Sequence, residues 1–229
     1  MRSKLFVCVA SVLVAGPATA ALVTNGDFET GDLTGWTLFT LPNSAIGRAA
    51  YGGDLGNVTF PRPPKVATPG VTPFDTDDDG TATNSAVFDV GLTASPSDGG
   101  GGIYQNIITT AGLLEVSLDI ATWAPLFSNG YGGLFRVLVD SAEVARHDFG
   151  EIDTGFPDNK TGAIERAALS GSIAVGAGAH EIRIEVTRGA TNSIDSPQEY
   201  LDNVVVIPEP ATLSLLGLGG LSLLLRRRR

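Results

Sequence analysis

The residues best suited to chemistry in this chain are aspartates that alternate along one short run. Asp75, Asp77 and Asp79 precede Gly80, and alternating carboxylates followed by a glycine form the first half of a calcium-binding loop. The second half of that pattern is missing, because Ala86 occupies the twelfth position, where a bidentate glutamate is needed. The run therefore predicts either an isolated calcium-binding turn or a solvated acidic turn.

A second chemical possibility rests on aromatic side chains, whose rings can stack on the faces of sugar rings. Trp123 and Tyr131 flank a stretch that leaves an apolar run and enters a loop, where binding groups are often found. Tyr51 lies in a longer loop-like segment. These three residues are the predicted ligand contacts, and packing in the core is the alternative for Trp123.

The sequence contains little evidence of catalytic motifs. His147 and His180 are far apart, and the chain contains no nucleophile elbow, phosphate-binding loop or zinc-ligand spacing. A carboxylate pair for glycoside hydrolysis stays open, because such a pair is assembled in space rather than in sequence. We therefore expect a protein without enzymatic activity, with a hydrolase as the remaining alternative.

The N-terminal residues 1–20 read as a secretory signal peptide. A basic start precedes an apolar core, and Ala18 and Ala20 frame a small-residue cleavage site. Signal peptidase is expected to cut after Ala20, so that the mature chain begins at Ala21. The only cysteine, Cys8, lies inside this peptide. The mature protein therefore has no disulfide.

The C-terminal end has three parts in a fixed order. A Pro-Glu-Pro motif is followed by an uncharged, leucine-rich stretch at 211–225 and then by a terminal arginine cluster. This tail resembles the PEP-CTERM sorting signal of Gram-negative bacteria that make exopolysaccharide. The resemblance implies that an exosortase-type membrane protease cuts at or near Pro-Glu-Pro, and that 208–229 is a sorting segment. The implied sorting residues are Pro208, Glu209, Pro210, Arg226, Arg227, Arg228 and Arg229.

The physical properties of this tail agree with insertion into a membrane. The 15 uncharged residues of 211–225 span about 22 Å as a helix, which is short for a hydrocarbon core of about 30 Å but can insert where the bilayer thins. The arginines stay on the cytoplasmic side, so the body lies outside. Cleavage would make the helix a removable anchor, and without cleavage it would be a permanent one. We expect inner-membrane anchoring before processing and the cell surface or extracellular matrix afterwards.

The charge of the chain excludes one class of partner. Loss of both ends lowers Lys+Arg from 15 to 9 against 25 acids, which moves the net charge from −10 to −16. Nothing then supplies a basic surface for phosphates, so a nucleic-acid role is not expected. An acidic surface suits solubility, calcium and a hydrated matrix.

The body between the two ends shows the periodicity of β-strands. Apolar residues alternate with polar ones in several runs, among them 116–120, 135–139 and 182–186, which places one face of each strand in a core and the other in water. We predict an all-β fold, a single antiparallel β-sandwich of the jelly-roll type at 21–207, flanked by an N-terminal signal helix and a C-terminal hydrophobic helix. The predicted strands are 21–29, 35–40, 86–90, 103–108, 113–123, 133–140, 143–149, 163–170, 180–188 and 200–206. Residues 43–83 and 95–102 are expected to be loops.

Short motifs at both ends of the body resemble a known fold family. The N-terminal run Asn-Gly-Asp-Phe-Glu at 25–29 and the C-terminal Leu-Asp-Asn-Val at 201–204 are similar to motifs of the galactose-binding-like jelly roll, which many secreted carbohydrate-binding modules use. The resemblance implies a structural calcium, with Glu29 and Asp202 as the matching positions. First and last strands of such a fold can lie side by side, which would also bring Asp27 near. The alternative is that Asp27 and Asn203 are turn residues and that Glu29 is a solvated charge.

These features together predict a secreted, surface-sorted protein of the exopolysaccharide or biofilm matrix, with an extracellular polysaccharide as the expected ligand. A structural or adhesive surface protein without a sugar site is the main alternative, and an extracellular hydrolase is the third. An exposed aromatic platform beside a groove would favour the first hypothesis. A featureless acidic surface would favour the structural or adhesive protein. Two buried carboxylates that face each other across a cleft would favour the hydrolase.

Overall fold

The structure, a computed structural model, describes residues 21–41, 70–88, 99–124, 130–153, 163–188 and 197–209. These ranges contain no helix, and hence none that is long and apolar enough to cross a membrane. Several predictions lie outside the described residues: the signal helix with Ala18 and Ala20, Tyr51, Pro210, the hydrophobic helix at 211–225 and the arginines 226–229.

The described part of the chain forms β-strands joined by turns. The strands are β1 (Thr37–Thr40), β2 (Val71–Phe74), β3 (Thr83–Phe88), β4 (Gly99–Thr109), β5 (Gly112–Ala124), β6 (Gly130–Tyr131), β7 (Leu134–Val139), β8 (Ala142–Asp148), β9 (Glu151–Ile152), β10 (Ala163–Val175), β11 (Gly178–Arg188) and β12 (Gln198–Pro208).

Ten of these strands build two five-stranded sheets. Sheet 1 has the order β1-β4-β11-β7-β8, sheet 2 has the order β10-β5-β12-β3-β2, and β6 pairs with β9 separately. Every neighbouring pair is antiparallel. The prediction of a single antiparallel β-sandwich is therefore confirmed.

The core lies between the two sheets and is built from alternate residues of their strands. On β5 of sheet 2, Val116, Leu118 and Ile120 are at most 2% exposed, and on β11 of sheet 1, Ile182 and Ile184 are fully buried. The residues between them point to the opposite, outer face of each sheet, because successive side chains of a strand alternate. The period-2 pattern of the sequence thus identifies the inward positions correctly.

The two ends of the body lie side by side. Leu22 N donates to Val206 O and Val204 N donates to Gly26 O, both at 2.8 Å. A Cβ at Gly26 would lie 2.1 Å from Val204 O, so glycine is required for this close approach. The predicted strand 21–29 is wrong in detail, because the segment is a chain of turns in which Asn25 and Phe28 have positive φ.

Both predicted loops contain strand residues: 43–83 includes all of β2, and 95–102 includes the start of β4. Within 43–83, β2 pairs with β3, and within 95–102, the residues from Gly99 onward open β4. A Cβ at Gly100 or Gly102 would lie 2.0 or 1.9 Å from a carbonyl oxygen of β11. The glycine run therefore reflects a close approach of two strands, where the sequence had indicated flexibility.

The last strand extends further than its apolar pattern indicates. β12 continues to Pro208, which the sequence assigned to the sorting tail, and the compact body comprises Ala21–Glu209. A bulge between Asp202 and Val205 shifts the pairing of β12 with β5.

Candidate functional site

Trp123 lies on the outer face of sheet 2. Its neighbours along β5, Thr122 and Ala124, are fully buried, whereas Trp123 is half-buried and is not part of the core. In register it stands between Ile164 of β10 and Gln198 of β12, and Ile164 is 44% exposed. The alternative that Trp123 packs in the core is therefore not what the structure shows.

A second pair of aromatic rings adjoins Trp123 on the same face. Tyr200 stands opposite Ala121 of β5, one outward position along from Trp123. Its ring stacks on Phe74 with centroids 3.7 Å apart and planes 11° from parallel, and its hydroxyl donates to Gln198 Oε1 at 2.7 Å. We call Trp123, Ile164, Gln198, Tyr200 and Phe74 the aromatic face.

The sequence analysis did not identify Tyr200 and Phe74. Strand parity could have placed Tyr200 on the outer face once Leu201 was taken as inward. The position of Phe74 could not be predicted in this way, because the segment that contains it was predicted to be a loop. Its contact with Tyr200 also depends on the long-range pairing of β2, β3 and β12.

An arginine ties the aromatic face to the acidic run. Arg166 of β10 also stands opposite Ala121, and its guanidinium carbon lies 5.8 Å from the centre of the Phe74 ring. Its Nε donates to Asp75 O at 2.7 Å, and its terminal nitrogens lie 3.6 Å from Asp75 Oδ2 and 3.1 Å from Asp78 Oδ1. The loop that begins after Phe74 is therefore fastened to the outer face of sheet 2.

The predicted metal ligands of this loop are brought together. Asp75, Asp77 and Asp79 each offer a carboxylate oxygen, and these oxygens lie within 4.8 Å of one another. The loop is shaped by Asp79 N donating to Asp77 Oδ1 and Thr81 N donating to Asp79 Oδ1, and by positive φ at Gly80. Asp75 Oδ1 is buried and has no hydrogen-bond partner among the described residues. The cluster suits a hard cation that takes oxygen ligands.

The second predicted metal region surrounds Asp202, which is only 1% exposed. Its carboxylate accepts hydrogen bonds from Thr83 Oγ1 at 2.8 Å, from Asn203 N at 2.7 Å and from Ser85 Oγ at 3.4 Å. Burial raises the pKa of the Asp202 carboxyl, these hydrogen bonds lower it, and the negative charge of Glu29 raises it further. Asp202 and Glu29 are thus close enough to interact.

The other members of this region have local partners. Glu29 Oε1 accepts from Asn84 N at 2.9 Å, which links the N-terminal turns to β3. Asp27 is exposed, and its Oδ1 accepts from Glu29 N at 3.4 Å, as a turn residue does. The structure therefore groups Glu29 with Asp202, and it gives Asp27 the geometry of the turn alternative.

Tyr131 lies away from the aromatic face. It belongs to β6, outside both large sheets, and its hydroxyl donates to Asp148 Oδ1 at 2.5 Å. Of the three predicted ligand contacts, Trp123 alone lies on the aromatic face, Tyr131 is elsewhere, and Tyr51 is outside the described residues.

The buried carboxylates of the described residues do not face one another. Glu199 stands on the inward side of sheet 2, opposite Thr122. Asp202 lies on the outer side of the same sheet, and Glu185 lies on the outer side of sheet 1, paired with Arg136. These three acids occupy three different surfaces, which is not the facing arrangement that glycoside hydrolysis requires.

Three solved structures resemble the body of this chain. The carbohydrate-binding module TmCBM61, in complex with β-1,4-galactotriose, is 12% identical with a TM-score of 0.40, covering 83% of this chain and all of that one. A Clostridium thermocellum xylanase 10B structure, containing CBM22-1 and GH10 modules, is 14% identical with a TM-score of 0.44, covering 84% of this chain and 29% of that one. The K1 cleaved adhesin domain of Lys-gingipain from Porphyromonas gingivalis W83 is 8% identical with a TM-score of 0.43, covering 80% and 96%. At these identities the likeness concerns fold alone.

The tail gives the clearer comparison. No curated protein matches the chain. The family model described as the PEP-CTERM protein-sorting motif matches residues 206–229, which confirms the sorting signal predicted from the sequence. This motif indicates an exported, membrane-processed protein that is sorted to the cell surface.

Proposed function

We propose that this is a non-enzymatic protein of the extracellular polysaccharide matrix, which binds polysaccharide through the aromatic face. The observation that carries the proposal is the outward position of Trp123 next to the Tyr200–Phe74 stack. An exopolysaccharide-producing Gram-negative bacterium is the proposed source. An exosortase-type protease is proposed to remove the tail after the body has crossed the inner membrane.

The chemistry of the aromatic face supports a sugar ligand. Sugar-binding surfaces need a flat apolar area together with a few polar groups that fix orientation, as small-ligand sites generally do. Trp123 and Ile164 supply the apolar area, and the Gln198 amide supplies donors and an acceptor. Arg166 adds a planar group at the edge, although Asp75 and Asp78 already engage it.

A groove lies on the same outer face of sheet 2 as Trp123, further along β5, and offers a second surface for an extended polymer. Its volume is about 330 Å³, and Ser117 lies six residue positions before Trp123 on β5, which is about 20 Å along an antiparallel strand. Small hydroxyl side chains line the groove, and they can donate to and accept from the hydroxyls of a sugar. Glu115 makes the groove acidic, which favours a neutral or amine-bearing polysaccharide over an acidic one. The lining residues are Glu115, Val116, Ser117, Ser170, Gly171, Ser172, Val205 and Ile207.

We propose calcium as a structural ligand of the acidic loop, held by Asp75, Asp77 and Asp79. The grouped oxygens and the buried Asp75 Oδ1 support this location. A cation there would stiffen the loop that carries Phe74 into the aromatic face. The region of Glu29 and Asp202 remains a second proposed location, and the hydrogen bonds already made to Asp202 weigh against it.

Calorimetric titration tests the proposed ligand. The processed protein is titrated with soluble exopolysaccharide from the native host, beside Trp123→Ala and the matched control Tyr104→Ala, an aromatic residue on the outer face of sheet 1. We expect Trp123→Ala to weaken binding about tenfold, which is about 1.4 kcal/mol, and Tyr104→Ala to bind like wild type. Equal binding by all three would contradict the proposal. New reducing ends in the incubated polysaccharide would instead favour the hydrolase alternative.

A further inference from the structure

The sorting motif overlaps the folded body. Its match begins at Val206, which is fully buried in the core. Pro208 is paired in register with Leu114 of β5, and Glu209 N donates to Leu113 O at 2.8 Å. The first two residues of Pro-Glu-Pro are therefore held against sheet 2 rather than lying in a free linker.

This position affects processing, because a protease must bind the backbone on both sides of the peptide bond that it cleaves. Extended peptides are commonly recognised through main-chain hydrogen bonds of the kind that join strands. The Glu209 amide already makes such a bond to β5, and Pro208 has no N–H to offer. Residues near the cut must leave the sheet before an enzyme can replace these contacts.

We propose that the tail is cut C-terminal to Glu209, and that the end of β12 from Ile207 to Glu209 must first open from β5, so that the folded sandwich limits the rate of processing. The inference rests on the proposed removal of the tail. The step is hydrolysis of one peptide bond: the C–N bond breaks, the carbonyl carbon gains the hydroxyl of water, and the new amine gains the proton. The mature domain then keeps all of β12.

The contacts at this strand end permit such opening. One backbone hydrogen bond holds Glu209, and its carboxyl lies beside that of Glu115. Partial burial and the contact with Glu115 raise the pKa of the Glu209 carboxyl, since two like charges are held close together. Strand ends with few contacts open at low cost compared with the global unfolding of a domain.

A cross-link across this strand end tests the proposal. Ile207 and Glu115 are register partners, and partners in antiparallel strands have Cα atoms about 4.5–5.5 Å apart, which suits a disulfide. The double variant Ile207→Cys with Glu115→Cys is expressed as the full chain in the native host, beside both single variants. The only native cysteine, Cys8, leaves with the signal peptide. We expect the oxidised double variant to retain its tail, and the reduced form and the single variants to be processed at the wild-type rate.

A second variant covers the case in which the disulfide does not form. A short Gly-Ser insertion between Ile207 and Pro208 displaces the motif from the sheet, and we expect it to accelerate processing several-fold in a pulse-chase immunoblot. Wild-type rates for the insertion, or for a cross-linked double variant, would overturn the inference while leaving tail removal intact. A processed mass that ends before Glu209 would also overturn it. A wild-type chain that keeps its tail would overturn the proposed processing itself.

Discussion

The outer faces of the two sheets use similar residues in different ways. On sheet 1, the Arg183 guanidinium lies 4.4 Å from the centre of the Phe39 ring and 5.8 Å from that of Tyr104, and it pairs with Glu181 at 2.8 Å. On sheet 2, no arginine or aromatic ring of the described residues stacks on Trp123. The rings of Phe74 and Tyr200 on sheet 2 have internal partners, as Phe39 and Tyr104 have on sheet 1, and Trp123 differs from them in this respect.

This difference teaches that aromatic content alone does not identify a binding surface. Phe39 and Tyr104 already have a cationic partner whose attraction to the rings is worth about 0.5–1 kcal/mol at an exposed site, and a sugar would have to displace it. On sheet 2, Arg166 lies 5.8 Å from the centre of the Phe74 ring and is paired with two aspartates of the acidic loop, so it stacks on Phe74 and not on Trp123.

The largest effect is expected from a core substitution that unfolds the domain and so abolishes both outer faces. Ile184 is fully buried between the sheets, and Ile184→Asp would place an unpaired charge there at a cost of several kcal/mol. We expect loss of the β-sheet circular dichroism signal and of polysaccharide binding. The control is Ile184→Val, which should stay folded. A folded Ile184→Asp protein would contradict the assignment of the core.

Calcium removal is expected to have the next largest effect. Binding to the folded state alone stabilises it by about 2.7 kcal/mol when free calcium is 100 times the dissociation constant. We expect chelation to lower the melting temperature of wild type, and the double variant Asp77→Ala with Asp79→Ala to lose this response.

The control for the calcium measurement is Asp202→Ala. This variant should be less stable, because it loses three hydrogen bonds, but it should keep its calcium response. A response that vanishes in Asp202→Ala and survives in the loop variant would move the ion to the region of Glu29. An unchanged wild-type melting temperature after verified metal removal would eliminate both locations.

Smaller effects are expected from replacing the arginine on the outer face of each sheet, Arg166 on sheet 2 and Arg183 on sheet 1. Arg166→Ala frees the acidic loop from the aromatic face, and we expect a several-fold loss of polysaccharide affinity. Arg183→Ala uncovers Phe39 and Tyr104, and we expect unchanged affinity with stability lower by about 0.5–1 kcal/mol. Calorimetric titration and thermal melts measure both. The reverse pattern would place the ligand on sheet 1.

The smallest expected effect is a pH dependence remote from both faces. His180 Nδ1 lies 2.6 Å from Asp140 Oδ2 and Nε2 lies 3.1 Å from Gly176 O, so both ring nitrogens face acceptors. The hydrogen bond to Asp140 raises the pKa of His180, and the same bond lowers the pKa of Asp140. The contribution of His180 is complete below its unfolded pKa of 6.5 and is lost as pH rises through its raised folded pKa.

The Asp140 contribution has the opposite sign. It is present above the unfolded pKa of 3.8 and is lost as pH falls through the lowered folded pKa. The stability difference between wild type and His180→Gln should therefore be greatest between these limits and should shrink above the raised pKa of His180. Melting temperatures from pH 3 to pH 9 measure it, and a difference that grows toward alkaline pH would contradict the pairing.

Local patterns predicted much of the fold. Alternation identified β5, β7 and β11, because a strand with one buried face carries its own period in the sequence. The prediction of a strand at 21–29 was wrong, because the segment is a series of turns that nevertheless buries the apolar side chains of Val23 and Phe28. The Gly99–Gly102 run was predicted to be flexible. Its close approach to the backbone of β11 requires glycine on β4 only, so the sequence of β11 gives no sign of it.

The candidate site was predictable only in part. Trp123 and the three alternating aspartates were identified as separate features, and the structure joins them through Arg166 and Phe74. That junction depends on β2 crossing back along β3, a long-range contact with no periodic signature. The sorting motif was recognised from three ordered parts of the tail, yet only the register of β12 reveals that its first residues belong to the sheet.

Fluorescence offers the most direct measurement, because the chain has two tryptophans in opposite environments. Trp36 is 8% exposed and its Nε1 donates to Asn25 O at 2.9 Å, whereas Trp123 is half-buried on the outer face of sheet 2. In Trp36→Phe, all tryptophan emission reports Trp123. Host polysaccharide should shift that emission to the blue and protect it from acrylamide, while the Trp123→Phe control should not respond. Saturating binding by calorimetry without any change in the Trp36→Phe emission would contradict the central claim that this face holds the ligand.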